Sequence, residues 1–142
     1  MYQFQINGVP KVQKQTRLHR GYWYDPSKKD KQHIQSIVQL TAPKTPLECA
    51  IYMQLTFFMP IPKSTPKKQR NLMQMGLIAP VTRPDFDNLA YLVTNALKGI
   101  VYKDDSYVTD CFIRKRYSDN PRTEIEVTPI DELGPLRGAI CA

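Results

Sequence analysis

Nowhere in these 142 residues does an apolar run approach the ~20 residues that a membrane helix needs. Met1 to Pro10 lack the basic start and apolar stretch of a secretory signal, so a soluble, cytoplasmic protein is expected. Glycine is scarce, at 6 residues, and none of it forms a phosphate-cradling loop. The three cysteines, Cys49, Cys111 and Cys141, are odd in number and lack the paired spacing of a zinc site; they read as reduced core or tail residues. Only two histidines occur, His19 and His33, and no neighbouring motif makes either a metal ligand or a general base. The Ser64 and Thr65 matches to a Ser/Thr-x-x-Lys pattern fit a helix start better than a nucleophile.

Acid is also short, with 13 Asp and Glu against 20 Lys and Arg, and the net charge of +7 points to a polyanionic partner. Lys11, Lys14, Arg17, Arg20, Lys28, Lys29 and Lys31 crowd one stretch with only Asp25 and Asp30 among them, and a second cluster, Lys63, Lys67, Lys68 and Arg70, contains no acid. Such patches release counterions from phosphates and bind nucleic acid without reading its sequence. Lys11, Lys14, Arg17, Arg20, Lys63, Lys67, Lys68 and Arg70 are therefore the candidate DNA contacts. Tyr22, Trp23 and Tyr24 lie among the first group. They could stack on unpaired bases or pack one face of a strand, and the sequence leaves both open.

What remains suits one compact domain, with 42% hydrophobic residues and no internal repeat. Tyr2, Phe4 and Ile6 alternate with polar residues as a half-buried strand ending at Gly8; residues 9 to 21 read as a basic loop and 22 to 24 as a short strand. Asp25 and Pro26 open a helix running to about Thr41. A long strand carries Cys49, Ile51, Met53, Leu55 and Phe57 on one face. Thr65-Pro66 starts a short basic helix near residues 66 to 76, outside the sheet, whose Leu72, Met73, Met75, Leu77 and Ile78 suggest a hydrophobic contact and a dimer interface. Ile100 to Lys103 and Tyr107 to Tyr117 read as strands flanking an Asp-Asp turn; Ser118 to Pro121 turns into a last strand at Thr123 to Thr128. Sequence-adjacent pairings then give an α+β domain around a small mixed sheet, residues 1–130, with 131–142 a loosely held tail.

The chemistry concentrates in Arg83-Pro-Asp-Phe-Asp-Asn-Leu89 and in Asp104-Asp105. Leu89, Leu92, Val93, Ala96 and Leu97 recur at helical spacing and Gly99 stands where a left-handed cap ends a helix. Residues two apart on a helix diverge, so Asp85 and Asp87 converge only if Asp85 precedes the helix, as Pro84 permits. An extended return of about 3.3 Å per residue from Gly99 could bring Asp105 back to the helix start. Each half alone is commonly just a cap or a turn; together they place three acids where one metal ion could meet them.

Those segments, with Ala96-Leu97-Lys98-Gly99, Val101-Tyr-Lys-Asp-Asp-Ser106, the basic strand to Tyr117 and, more weakly, Gly8-Val-Pro-Lys11 and Tyr24-Asp-Pro26, resemble the RusA family of Holliday junction resolvases, endodeoxyribonucleases of DNA recombination and repair common in bacteria and their phages. The resemblance spans most of residues 6 to 128. It implies a homodimer, dependent on Mg²⁺ with Mn²⁺ as the alternative, that nicks a four-way DNA junction symmetrically. Asp85, Asp87 and Asp105 would be the catalytic, metal-binding acids, supported by Asn88, Asp104 and Lys103.

The chain departs from the family at Tyr91, where many relatives carry a lysine near the carboxylates. A neutral phenol cannot offer the scissile phosphate a cation, although Lys103 or Lys98 could substitute. Two alternatives follow: a branched-DNA-binding protein on the same scaffold that cleaves weakly or not at all, and a basic RNA-binding protein whose acids only cap and turn.

Overall fold

The computed structural model describes residues 1–133; the glycine-containing end of the expected tail and Cys141 lie outside them. Nine regular elements follow one another: β1 (Tyr2–Asn7), β2 (Arg17–His19), β3 (Tyr22–Tyr24), α1 (Lys28–Val38), β4 (Ile51–Pro60), α2 (Lys67–Gln74), α3 (Phe86–Leu97), β5 (Val108–Ser118) and β6 (Arg122–Pro129). Four strands form one mixed sheet in the order β1-β6-β4-β5, and β2 and β3 pair separately as a hairpin. This is the α+β class expected.

Period-2 patterning sets the faces of the sheet. Ile51, Met53, Leu55, Phe57 and Met59 of β4, Phe4 and Ile6 of β1, and Ile125 and Val127 of β6 are buried in one core with Ile34 and Val38 of α1. Helix α3 completes it with Leu89, Ala90, Leu92, Val93, Ala96 and Leu97, each leucine contributing about 2 kcal/mol through the area it removes from water. The opposite face is polar, with Gln3, Gln5, Gln54, Thr56, Glu124 and Glu126 lining a shallow concavity.

Several pairings differ from those expected. β4 and the edge strand β5 run parallel, so α2 and α3 lie in the crossover between them, while β6 inserts between β1 and β4. The short turn after β5 thus carries the chain past the end of β4 instead of closing a hairpin; a buried central strand is read as apolar by either neighbour, which hides its partner from sequence. Ile100 to Lys103 do not form a strand. Val101 and Tyr102 are fully buried, and the segment closes in tight turns, Gly99 N–H donating to Tyr102 O at 2.7 Å and Val101 N–H to Leu97 O at 2.9 Å. Residues 17 to 19, expected in a loop, are a strand.

Helix α1 begins two residues later than expected, with Ser27 at its N-cap. Asp25 instead ties the preceding loop together: it accepts from Ser27 N–H at 2.9 Å and from Gln13 Nε2 at 3.0 Å, and pairs with Lys31. Ser27 is fully buried and its Oγ accepts from Lys14 N–H at 2.8 Å.

Candidate active site

Asp85 stands at the N-cap position of α3 in extended conformation (φ −72°, ψ 149°), so it precedes the helix as Pro84 led one to expect. Its side chain makes no capping hydrogen bond, which leaves an exposed carboxylate beside the helix N-terminus with no structural task. Asp87 follows in the first turn, where the helix dipole favours an anion. The backbone just before Asp85 is held by β5: Lys115 Nζ donates to Thr82 O at 2.7 Å and to Pro84 O at 2.8 Å. That lysine escaped notice in the sequence, where it is one cation in the run Arg114-Lys115-Arg116.

The two acids after the helix behave differently from each other. Asp104 caps the 3₁₀ turn Asp105–Tyr107 by accepting from Ser106 N–H at 3.3 Å, and pairs with Lys98 at 2.9 Å; the Lys98 ammonium and the Ser106 contacts hold its carboxyl down at about 2. Asp104 is thus structural. Asp105 is partly buried, and its Oδ1 is fully buried without a hydrogen-bond partner among the described residues. Tyr102 lies beside it, donating its hydroxyl to Thr94 O at 2.7 Å on α3; burial and then the Asp105 charge push the phenol well above its ordinary pKa. This fully buried tyrosine, unforeseen in the sequence except as an aromatic next to the acids, docks the Asp104-Asp105 segment on the helix.

The tight turns at 99 to 102 replace the extended return, and Asp105 settles within electrostatic reach of Lys98, the residue that ends α3; Tyr91 lies on the helix face leading to that lysine. Asp87 shares that face by helical spacing. Among the described residues, however, no group of three or more His, Cys, Asp or Glu side chains is gathered closely enough to hold a metal ion. The donor chemistry nevertheless suits a hard cation: the acids offer only oxygen, and the orphaned Asp105 Oδ1 is the kind of atom such a cation would satisfy. Tyr91 is 56% exposed on this face. The two lysines that could stand in for its missing cation are both engaged, Lys98 with Asp104 and Lys103 with Glu48 at 3.2 Å.

The basic residues frame the other side of α3. Gln13 N–H donates to Asn88 O at 3.4 Å, and Asn95 Nδ2 donates to Gln13 Oε1 at 3.3 Å, so the loop bearing Lys11 and Lys14 is fixed along the helix. Between them runs an open cleft of about 440 Å³ lined by Lys14, Thr16, Asn88, Tyr91 and Asn95 among others; Asp85 and Asn88 line a second beside Arg83. Arg17 and Arg20 extend from the loop in the hairpin. In the second cluster Lys63, Lys67 and Lys68 are exposed, whereas Arg70 is committed to Asp119 at 3.4 Å and to Pro62 O at 3.1 Å.

Comparison with known proteins agrees with this arrangement. Residues 5–128 match the family model described as endodeoxyribonuclease RusA. The uncharacterised protein YqaN of Bacillus subtilis (strain 168) is 33% identical over 135 residues, covering 89% of this chain and 95% of that protein. With both acidic segments inside a match that spans nearly the whole chain, the protein belongs to the RusA endodeoxyribonuclease family.

Proposed function

We propose that this protein is a divalent-metal-dependent endodeoxyribonuclease that resolves four-way DNA junctions by paired, symmetric nicks, acting in the bacterial cytoplasm as a homodimer in DNA recombination and repair. Family membership implies junction resolution and binding to branched DNA. The observation that carries the metal-dependent reading is Asp105, whose buried Oδ1 has no hydrogen-bond partner among the described residues while its neighbour Asp104 is employed in capping and ion pairing.

Asp85, Asp87 and Asp105 would hold the cation, Mg²⁺ before Mn²⁺. When bound, that ion supplies a water of lowered pKa and neutralises charge building on the phosphate. The protein's own part is positional. Lys115 fixes the backbone leading to Asp85, Tyr102 pins the Asp105 segment to α3, and the exposed lysines of the first loop and of α2 draw in the sugar-phosphate backbone. Asn88, which lines both clefts, would orient a carboxylate or a water. A twofold dimer would present two such sites to a junction of matching symmetry.

The deciding experiment compares cleavage of a synthetic four-way junction with linear duplex of the same sequence, in magnesium or EDTA, by the parent and by Asp85→Asn. Paired nicks confined to the junction, requiring magnesium and reduced at least 100-fold in the variant, are expected. Junction binding without nicking would support the cleavage-deficient alternative, for which Tyr91 is the specific observation. Indifference to DNA branching would overturn the reading.

A further inference from the structure

The hairpin of β2 and β3 serves no core. All six of its strand residues are exposed, with Tyr22 at 79%, Trp23 at 71% and Leu18 at 56%. That exposure weighs against packing: among the described residues Tyr24 meets His19 of the same hairpin edge-on, with ring centroids 6.5 Å apart, while Tyr22 and Trp23 face water. Large rings held in water lose the burial that normally justifies them, and a contiguous set marks a contact surface.

The register distributes them over both faces. Leu18 opposes Trp23, while His19 opposes Tyr22 and Arg17 opposes Tyr24, so Tyr22 projects from one side of the ribbon and Trp23 from the other. At the tip both loop residues adopt left-handed backbone, Arg20 at φ 49° and Gly21 at φ 80°. That is the two-residue turn in which Asn-Gly is favoured, and an arginine there is strained. A local rule broken at an exposed tip points to function, here a guanidinium carried to the furthest point of the hairpin.

The base of the ribbon is clamped. Gln13 bonds to Asp25 across it and to Asn88 and Asn95 on α3, so the hairpin stands fixed relative to the helix that carries Asp85 and Asp87. No acid occurs between residues 11 and 24, against four Lys and Arg. Two copies meeting through this patch about a twofold axis would oppose like charges, which disfavours a second copy and favours a polyanion.

We propose that the hairpin is a base-stacking wedge: Tyr22 and Trp23 receive bases left unpaired at a DNA branch point, one on each face, while Arg17 and Arg20 hold the adjoining phosphates. This rests on the reading of the protein as a branched-DNA endonuclease. It adds a means of recognising the branch that does not pass through the acids.

Trp23 is the sole tryptophan, so its emission reports directly on the hairpin. The full chain is titrated in EDTA with an immobile four-way junction, with matching duplex and with oligothymidylate. Quenching by the junction and by oligothymidylate, and little by duplex, is expected. Tyr22→Ala and Trp23→Ala should each weaken junction binding roughly tenfold, leave duplex binding within about twofold and leave Tm unchanged, while Trp23→Phe retains most of the affinity. Arg20→Asn should keep or raise Tm yet weaken binding. Unaltered Trp23 emission in a saturated junction complex would overturn the wedge, as would alanine variants that lose junction and duplex affinity equally. Emission that changes with protein concentration alone would assign the surface to contacts between copies and also overturn it. Quenching by oligothymidylate without any junction preference would uphold stacking and reject the resolvase reading; junction-specific nicking without quenching would do the reverse.

Discussion

A buried carboxylate oxygen without a hydrogen-bond partner destabilises the chain that carries it, and among the described residues Asp105 Oδ1 is such an atom. Asp105→Asn removes this partly buried charge at nearly constant volume, so the metal-free variant should be at least as stable as the parent. The same change should abolish the rise in Tm that magnesium gives the parent, because the ion then loses a charged ligand. Thermal melts of both proteins with and without magnesium chloride check this; an undiminished magnesium shift in the variant would remove Asp105 from the metal site. Asp85 and Asp104 make a complementary contrast. Both stood in positions where an acid is ordinarily a cap, yet only Asp104 caps. Sequence singled out the acids as a group but could not tell the employed carboxylate from the unemployed ones, because that difference lies in partners, Lys98 and Ser106, supplied by the turn geometry.

Among the elements, those whose apolar pattern is long and periodic were legible: β1, β4, α3 and the glycine after it, which indeed takes φ 80°. Elements fixed by pairing or by short polar contacts were not. β2 has no alternation of its own and no Asn-Gly turn, and 101 to 102 look like a strand because they are apolar, although the core buries them in a turn. The start of α1 was displaced because Asp25 spends its carboxylate on Gln13, Ser27 and Lys31, and those contacts depress its pKa, the Lys31 hydrogen bond foremost. The sign follows from linkage: a folded-state pKa below the ordinary 3.8 stabilises the fold above that value and loses its contribution as pH falls through the depressed one. Asp25→Asn should therefore cost about 1 kcal/mol at pH 7, a figure held down by solvent around a carboxylate that is 26% exposed. The deficit relative to the parent should vanish in acid; urea melts at pH 7 and pH 3 that show equal deficits would argue against this anchor.

For the whole molecule, α2 offers the strongest case for the proposed dimer. It buries none of its residues, and the segment that follows exposes Met75 at 70%, Leu77 at 68% and Val81 at 93%. Leu77→Glu should convert a dimer of the parent into monomer, measurable by sedimentation equilibrium, with Tm lowered only to the extent that dimerisation supports it. A variant that remains dimeric would move the interface elsewhere.

The order β1-β6-β4-β5 also sets a timetable for assembly. Among the described residues β1, at 2 to 7, finds its sheet partner in β6, at 122 to 129, and β4 must wait for the same strand and for β5. On a ribosome β1 therefore emerges before the other strands and is paired last, its hydrogen-bonding edge open until β6 has been made. Loop-closure entropy on this scale slows folding and lengthens exposure to aggregation. Removal of β6 would take away at once the sheet partner of β1 and one of the two partners of β4, and so part β1 from the rest of the sheet.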